Sequence, residues 1–349
     1  MSMSKERSAI HWFRKGLRLH DNPALLEACK KRSVVYPVFI LDPWFAKPSE
    51  VGQLRYAFLL ESLRDIDTSL KKLGTRLYVV KGKPEDKLPE LFKDFHADLL
   101  TFEADSEPYA VKRDGEISRL ARQKGVEVSV HHSHTLRELE YYLALTRGEC
   151  PSTYQAFCKL HSSAGKVRNA LEAPSAADMP TQQAKASSLD DAEYDVPLLT
   201  DMGYEALAAP LKFPGGETEA LRRMTATCED RPKWVATFEK PKTLPTATEP
   251  ATTVLSPYLK FGCLSAARFY HVLAGIYAGK AGHTQPPVSL HGQLLWREFF
   301  YLNCYAVPNF GNMVGNPRCK QIPWDHDDEK LTAWKEARTG YPWIDACMT

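Results

Sequence analysis

The chain has 349 residues, of which 44% are hydrophobic and 25% charged, a composition typical of a globular protein with room for two domains. Its 45 basic and 43 acidic residues nearly cancel, so net charge neither requires nor excludes a nucleic-acid partner. The eight cysteines form no C-x-x-C pair, which argues against a metal cage or a disulfide framework and favours a reducing compartment. No apolar run approaches the ~18 residues of a membrane span, and the first residues lack the apolar region of a secretory signal.

Short apolar runs alternate with helical patterns in the first third of the chain. The runs that predict strands are 10–13, 34–41, 77–80, 99–102 and 126–130. The stretches that predict helices are 23–31, 54–73, 85–95 and 109–124. Asn22 is expected to cap the first helix, with Pro23 as its first residue. Strict alternation of strand and helix predicts a doubly wound parallel sheet in residues 1–134.

Such a sheet binds ligands beyond the carboxyl ends of its strands, so the loops there are candidate contacts. They are Arg14-Lys15-Gly16, Asp42-Pro43, Lys81-Gly82-Lys83 and Glu103-Ala104-Asp105. The absence of a G-x-G-x-x-G or Walker A segment argues against a dehydrogenase or a P-loop enzyme. For Arg14 and Arg18, salt bridges are expected, with ligand contact as the alternative. Residues 131–134 read His-His-Ser-His and are interpreted as a strand-end loop, because adjacent histidines of an extended chain face opposite sides.

The second half of the chain has a different pattern. Residues 135–212 are interpreted as an interdomain connector, because 171–201 are small, polar and weakly periodic. From residue 213 to residue 349 the periodicity is helical. The stretch 290–305 is apolar over most of its circumference and therefore predicts a buried helix. Gln293, Trp296 and Arg297 share one face of it, and its polar residues need partners from a ligand or another helix.

Hydroxyl residues cluster at the predicted start of a short helix, in the segment Thr252–Ser256. Ser256 is predicted as the N-cap and Pro257 as the first helical residue. Unpaired amides and the helix dipole favour an anion such as a phosphate at this position, whereas the alternative is a plain helix start. Gly262 is predicted to end the helix, and Ser265 to cap the next one.

Five ordered segments resemble the signature sequences of the photolyase and cryptochrome family. They are 12–23, 213–217, 252–265, 293–299 and 339–346. The resemblance spans nearly the whole chain and is strongest to (6-4) photolyases and animal-type cryptochromes. It implies an α/β antenna domain over 1–134, a connector over 135–212, and a helical FAD-binding domain over 213–349 that is incomplete at its C-terminus.

The resemblance also implies site residues, position by position. The cofactor-binding residues that it implies are Lys240, Thr252, Thr253, Val254, Leu255, Ser256, Gln293 and Arg297. It assigns Gln293 and Trp296 to the cavity that receives a flipped-out DNA lesion, and no metal is expected. Catalytic residues are expected only beyond Thr349, because the family's tryptophan chain and paired histidines follow that point. An antenna chromophore, a deazaflavin or a folate, is a further implied cofactor.

The function implied by the resemblance is repair of (6-4) photoproducts in DNA, driven by blue light through electron transfer from reduced FAD. The expected partner is damaged DNA, and the expected state is a monomer in the nucleus, with the cytoplasm or an organelle as the alternative. Two other functions stay open: a cryptochrome photoreceptor with signalling partners, and a truncated inactive isoform. An incomplete FAD domain is expected to retain FAD weakly and to expose Gln293 and Trp296.

Overall fold

The structure is a computed structural model that describes residues 7–45, 47–180, 191–239, 247, 249–279 and 282–349. Lys240, which the family resemblance assigns to the flavin, lies outside the described residues. The chain divides into two compact units, Met1–Pro308 and Asn309–Thr349. None of the described helices is both long enough and apolar enough to cross a lipid bilayer.

Five strands form one parallel sheet in the first unit. They are β1 (Ser8–Phe13), β2 (Val34–Leu41), β3 (Tyr78–Lys81), β4 (Ala97–Glu103) and β5 (Glu127–His131). Their spatial order is β3-β2-β1-β4-β5, and every neighbouring pair is parallel. β1 and β2 are buried along their whole length, as expected for a sheet covered by helices on both faces. The predicted doubly wound sheet is confirmed.

Four helices connect the strands. They are α1 (Pro23–Lys31), α2 (Gln53–Lys72), α3 (Pro84–Asp94) and α4 (Pro108–Gln123). Each begins within one residue of its predicted start, and three of them begin with a proline, which has no amide hydrogen to leave unpaired. The Asn22 side chain accepts a hydrogen bond from the Leu25 amide at 3.0 Å, which confirms the predicted cap of α1.

Helices dominate the rest of the chain. In the first unit they are α5 (Leu139–Leu145), α6 (Tyr154–Ser163), α7 (Glu217–Met224), α8 (Pro232–Thr237), α9 (Ser256–Phe261), α10 (Ala266–Ala278) and α11 (Leu290–Ala306), and in the second unit α12 (Asp328–Lys335) and α13 (Pro342–Met348). Short 3-10 turns occupy Asp191–Tyr194 and Thr200–Met202, and a π-turn follows α7 at Thr225–Glu229. No strand follows β5 within the described ranges. The predicted order, α/β first and helical afterwards, is confirmed.

The two faces of the sheet belong to different hydrophobic cores. Side chains alternate along β1, so Ile10 and Trp12 join a core with α3 and α4, while Ala9 and Phe13 face the opposite side. That second core continues through α2 into α9, α10 and α11, and includes Tyr258. The sheet and the helical region therefore share one continuous core within Met1–Pro308, and this core fixes α9 and α11 relative to the strand ends.

The start of α9 differs from the prediction by one residue. Ser256 is its first residue and Pro257 its second, while Leu255 holds the N-cap position without a side-chain hydrogen bond, so the prediction that Ser256 caps the helix is wrong. Val254 turns the chain with φ 53°, a conformation that costs a β-branched residue about 1–3 kcal/mol, and the Leu255 side chain is buried in the core. Core packing therefore overrides the local preference of serine for the cap.

The end of α9 follows the prediction. Gly262 has φ 71° and ends the helix, and Ser265 caps α10 by accepting a hydrogen bond from the Arg268 amide at 3.1 Å. Gly262 also lies against the loop after β1, where a Cβ on Gly262 would come within 2.2 Å of the Gly16 nitrogen. Only glycine permits both the left-handed backbone and this close approach.

Candidate functional site

Donors without partners mark the segment that precedes α9. Thr253 is 7% exposed, and neither its hydroxyl nor that of Ser256 forms a hydrogen bond with any described residue. The amides of Leu255 and Ser256 are also unpaired within the described chain. Thr252 is half-buried, and its Oγ1 accepts a hydrogen bond from the Val254 amide at 3.4 Å. Hydroxyls and backbone amides are the donors that hold phosphates, so this donor set fits the pyrophosphate of FAD.

One face of α11 is open. Gln293 is exposed, Trp296 is 38% exposed and Phe300 is 53% exposed. The Trp296 ring stacks on Tyr154 with centroids 4.0 Å apart and planes 7° apart. The expected exposure of Gln293 and Trp296 is confirmed, and the prediction that α11 is buried is wrong for this face. None of the described contacts joins Gln293 or Trp296 to the segment before α9, so their binding roles stay predictions.

Arg297 links α11 to α9 and to the loop that follows β5. Its Nη2 donates to the carbonyl of His134 at 2.9 Å and to that of Leu259 at 3.4 Å. Its guanidinium also lies 4.6 Å from the centroid of the Tyr301 ring. Burial and the Arg297 charge hold the pKa of His134 well below its usual range, so its neutral ring accepts from Arg297 at 3.0 Å. Arg297 is thus placed in a protein network, and its contact with FAD stays a prediction.

Glu298 is a fully buried acid on α11. Its Oε2 accepts from the Leu136 amide at 2.9 Å, and its Oε1 lies 3.0 Å from Arg297 Nη1. Burial raises the pKa of Glu298 to about 7, although the Arg297 charge opposes the rise. The folded protein therefore holds this proton more tightly than the unfolded chain does, and its stabilising effect is lost as the pH rises from about 4.5 to about 7.

Glu298→Gln is expected to flatten the pH dependence of stability between pH 4.5 and pH 7. Each tenfold change in proton affinity is worth about 1.4 kcal/mol. The free energy of unfolding of the wild type should therefore fall by roughly 3 kcal/mol across that interval, a loss that the variant should not show. Urea unfolding at several pH values measures this slope. Glu116→Gln, on the exposed side of α4, is the control and should keep the wild-type slope. An unchanged slope in Glu298→Gln would contradict the assignment.

A cavity of about 500 Å³ lies beyond the carboxyl ends of β1, β2 and β4, where the winding of the sheet reverses. We call it the switch-point cavity. Of the loops predicted from the sequence, Arg14, Lys15, Asp42 and Asp105 contribute to its lining, and residues 81–83 do not. The switch-point cavity therefore lies at the sheet edge that the strand order predicts.

Two buried polar atoms in this lining, Trp12 Nε1 and the Tyr56 hydroxyl, have no hydrogen-bond partner in the described chain. At the mouth, Trp44 and Tyr109 stack with centroids 3.9 Å apart. Asp42 holds both, because it accepts from the Trp44 amide at 2.9 Å and from the Tyr109 hydroxyl at 2.6 Å. Unpaired buried donors in a concave site indicate that a bound molecule supplies their partners.

Positive charge exceeds negative charge in the lining of the switch-point cavity. The cations are Arg14, Lys15, Lys47, Arg55, Arg113 and Lys260, and the carboxylates are Asp42, Glu50, Asp105 and Glu107. Lys15 Nζ lies 2.8 Å from both Asp105 and Glu107, and Arg14 and Arg113 both pair with Asp114, so six cations are opposed by five carboxylates when Asp114 is counted. The surplus suits a ligand with an anionic group. Lys260 and Phe261, which also line the cavity, belong to the last turn of α9.

The loop after β1 joins the sheet to α9 and α10. Arg18 is 1% exposed, and it donates to the Gly262 carbonyl at 2.9 Å and pairs with Glu103 at 2.9 Å. His20 Nε2 accepts from the Ser265 amide at 3.2 Å. Arg14 pairs with Asp114. The salt-bridging role predicted for both arginines is confirmed.

The histidine segment lies at the end of a strand, as predicted, although its first residue still belongs to β5 and only 132–134 lie in the loop. His131 is the last residue of the strand, and its Nε2 lies 2.5 Å from Glu27 Oε2. His134 is buried three residues further on, beside Arg297. The rings of His131 and His134 therefore have different partners, Glu27 of α1 and Arg297 of α11, and these contacts account for both histidines.

A doubly wound sheet with a cavity at its switch point, followed by a helical region in which unpaired donors precede α9, is typical of the class of proteins that bind nucleotide cofactors. The DNA photolyase family model matches residues 9–177, and the model for the FAD binding domain of DNA photolyase matches residues 289–349. The chain belongs to the photolyase and cryptochrome family.

The chain is similar to cryptochromes of birds. It is 47% identical over 343 residues to Cryptochrome-1 of Sylvia borin and of Gallus gallus, which is 98% of this chain and 55% of each relative. Cryptochrome-2 of Gallus gallus is 45% identical over 342 residues, 98% of this chain and 59% of the relative. The chain therefore spans little more than half the length of these relatives.

Two solved structures from microorganisms have the same fold. A cryptochrome from Synechocystis superimposes with a TM-score of 0.81 at 25% identity, covering 99% of this chain and 71% of that one. An archaeal photolyase from Sulfolobus tokodaii, solved with two FAD molecules, gives a TM-score of 0.70 at 27% identity, covering 98% of this chain and 69% of that one.

Proposed function

We propose that the protein binds FAD and uses blue light, and that in its full-length form it repairs (6-4) photoproducts in DNA. The observation that carries the proposal is the set of unpaired hydroxyls and amides between Thr253 and Ser256, in a chain that matches the photolyase FAD-binding model. Bound FAD supplies the light-driven electron transfer. The domain limits 1–134, 135–212 and 213–349 and a monomeric, nuclear protein are parts of the same proposal.

In this proposal the residues of this chain bind and orient FAD and the DNA lesion. Thr253 and Ser256 would donate to the diphosphate, since their hydroxyls are unpaired among the described residues. Trp296 is 38% exposed although its ring stacks on Tyr154, and it lies one turn from the exposed Gln293, so an extruded base would pack against this ring and form hydrogen bonds with Gln293. Arg297 would act on FAD through its position beside α9. Damaged DNA is the proposed partner.

A cryptochrome photoreceptor with signalling partners is the second proposal. The relatives at 45–47% identity that carry the name Cryptochrome favour it. Light-dependent repair of a (6-4) oligonucleotide, by a form of the protein extended to the length of those relatives, separates the two functions. Repair supports the photolyase function, whereas flavin absorbance without repair supports the photoreceptor.

A second chromophore, a deazaflavin or a folate, is proposed for the switch-point cavity. The unpaired Trp12 and Tyr56 donors and the surplus of cations support a ring system with an anionic tail. The Sulfolobus tokodaii photolyase, which was solved with two FAD molecules and implies a novel light-harvesting cofactor, supports a second chromophore in this fold.

Thr253→Val with Ser256→Ala is expected to weaken FAD retention by at least about tenfold for each hydroxyl, because hydrogen bonds to charged groups are worth about 1.5–3 kcal/mol. Flavin absorbance after reconstitution and gel filtration measures retention. Thr68→Val, on an exposed turn of α2, is the matched control and should retain FAD like the wild type. Equal retention by all three proteins would contradict the proposed phosphate contacts.

A further inference from the structure

A second cleft, of about 250 Å³, lies beyond the ends of β4 and β5, between α4, α5 and the end of α11. We call it the α4–α5 cleft. It shares only Asp105 with the switch-point cavity. Its buried lining residues are Phe102, Ser106, His134, Thr135 and Leu139. Val111 and Val130 line its outer part and are 44% and 40% exposed, so the α4–α5 cleft is open to solvent and largely apolar.

Gly115 widens the cleft from within α4. A Cβ at this position would meet no atom within 4 Å, so the wall is open where other residues would place a side chain. Glycine inside a helix is less favourable than alanine by about 1 kcal/mol. An engineered apolar cavity of about 150 Å³ holds benzene, so the larger α4–α5 cleft has room for a bicyclic ring.

The polar groups of the cleft restrict the charge and the hydrogen-bonding groups of a ligand. Besides the shared Asp105, its lining includes the carboxylates Asp114 and Glu140, and it includes no lysine or arginine. Tyr305 donates to Glu140 Oε1 at 2.6 Å, and Arg113 and Arg14 both bind Asp114 Oδ1, so each acid keeps one oxygen free within the described chain. Carboxylates only accept hydrogen bonds, so a ligand that pairs with these oxygens brings N–H or O–H donors, and a cationic N–H donor also matches their charge.

Ser106 is an independent indication of a ligand. It lines the cleft and is 5% exposed, and its hydroxyl has no hydrogen-bond partner among the described residues. An unpaired buried hydroxyl costs about 1–3 kcal/mol, and a polar group that enters the cleft removes this cost. We propose that the α4–α5 cleft binds a small aromatic amine. Its ring packs on Val111, Val130 and Leu139, and its ammonium group faces Glu140 and Asp114.

Tryptamine and indole-3-acetate test the proposal, because they share a ring and differ in the sign of their charge. Titration of the 349-residue chain by calorimetry should show tryptamine binding at least about tenfold more tightly than indole-3-acetate. Gly115→Leu fills the cleft from α4 and should abolish tryptamine binding. Gly275→Leu is the matched control, because Gly275 lies in α10 and also faces open space, and it should bind tryptamine like the wild type.

Glu140→Gln should weaken tryptamine binding about fivefold or more, since Gln can still accept from Tyr305 but has lost the charge. Circular dichroism of every variant establishes that it is folded. Absence of tryptamine binding to the wild type, equal affinity for both compounds, or wild-type affinity in Gly115→Leu would each overturn the proposal. The Glu140→Gln titration still tests the site if Gly115→Leu does not fold.

Discussion

Arg18→Met is expected to lower the free energy of unfolding by about 3–5 kcal/mol, the range for breaking a buried ion pair from one side. The guanidinium of Arg18 is 1% exposed and binds Glu103 and the Gly262 carbonyl, so its loss leaves a buried carboxylate without its cation and frees the end of α9. Urea denaturation followed by circular dichroism measures the loss.

Arg7→Met is the matched control for this prediction. Arg7 pairs with Asp98 at 3.0 Å, but its side chain is 62% exposed, and exposed pairs contribute about 0–1 kcal/mol. The double variant Arg18→Met with Glu103→Gln should recover a large part of the loss, because it removes the uncompensated charge. If the Arg18→Met variant is no less stable to urea than the Arg7→Met variant, the buried pair does not hold the sheet to α9.

Gly262→Ala is expected to lower the free energy of unfolding by about 2–5 kcal/mol, because two penalties coincide. A left-handed backbone costs a residue with a Cβ about 1–2 kcal/mol, and overpacking costs about 1–3 kcal/mol. The new Cβ would lie 2.2 Å from the Gly16 nitrogen, so α9 has to move away from the loop after β1. We expect FAD retention to fall with stability, since Ser256 lies on the same short helix.

Gly125→Ala isolates the backbone penalty. Gly125 has φ 77°, close to the 71° of Gly262, but a Cβ there meets nothing within 4 Å. Its variant should lose only about 1–2 kcal/mol and keep wild-type FAD retention. Equal effects of the two alanine variants, measured by thermal denaturation and flavin absorbance, would rule out the steric contact as the cause.

The sheet and its helices were predictable from the sequence because their signals are local. Strand-length apolar runs and the proline at the start of the first helix, Pro23, depend only on nearby residues. Because the cavity loops directly follow the strands, predicting the strand ends also identified Arg14 and Asp42 as candidate ligand contacts. The helical domain needed the family resemblance, because periodicity alone does not distinguish a ligand-binding helix from a core helix.

The errors arose where distant contacts override local preference. Leu255 occupies the N-cap position in place of Ser256 because its side chain is buried in the core, and no property of the segment itself indicates that burial. Trp44, Tyr109 and Lys260 of the switch-point cavity were missed, since they come from three separate elements. Trp44 follows a strand end by three residues, which is the one signal that could have identified it.

The helix α9 belongs to both candidate sites. Its six residues span about 9 Å at 1.5 Å per residue, with Ser256, a proposed flavin contact, at its start and Phe261 in the wall of the switch-point cavity. A pigment in the cavity and a flavin at Ser256 would thus be held by one rigid spacer. The separation and mutual orientation of their transition dipoles, which govern the efficiency of excitation transfer, would then be fixed by a single turn and a half of backbone.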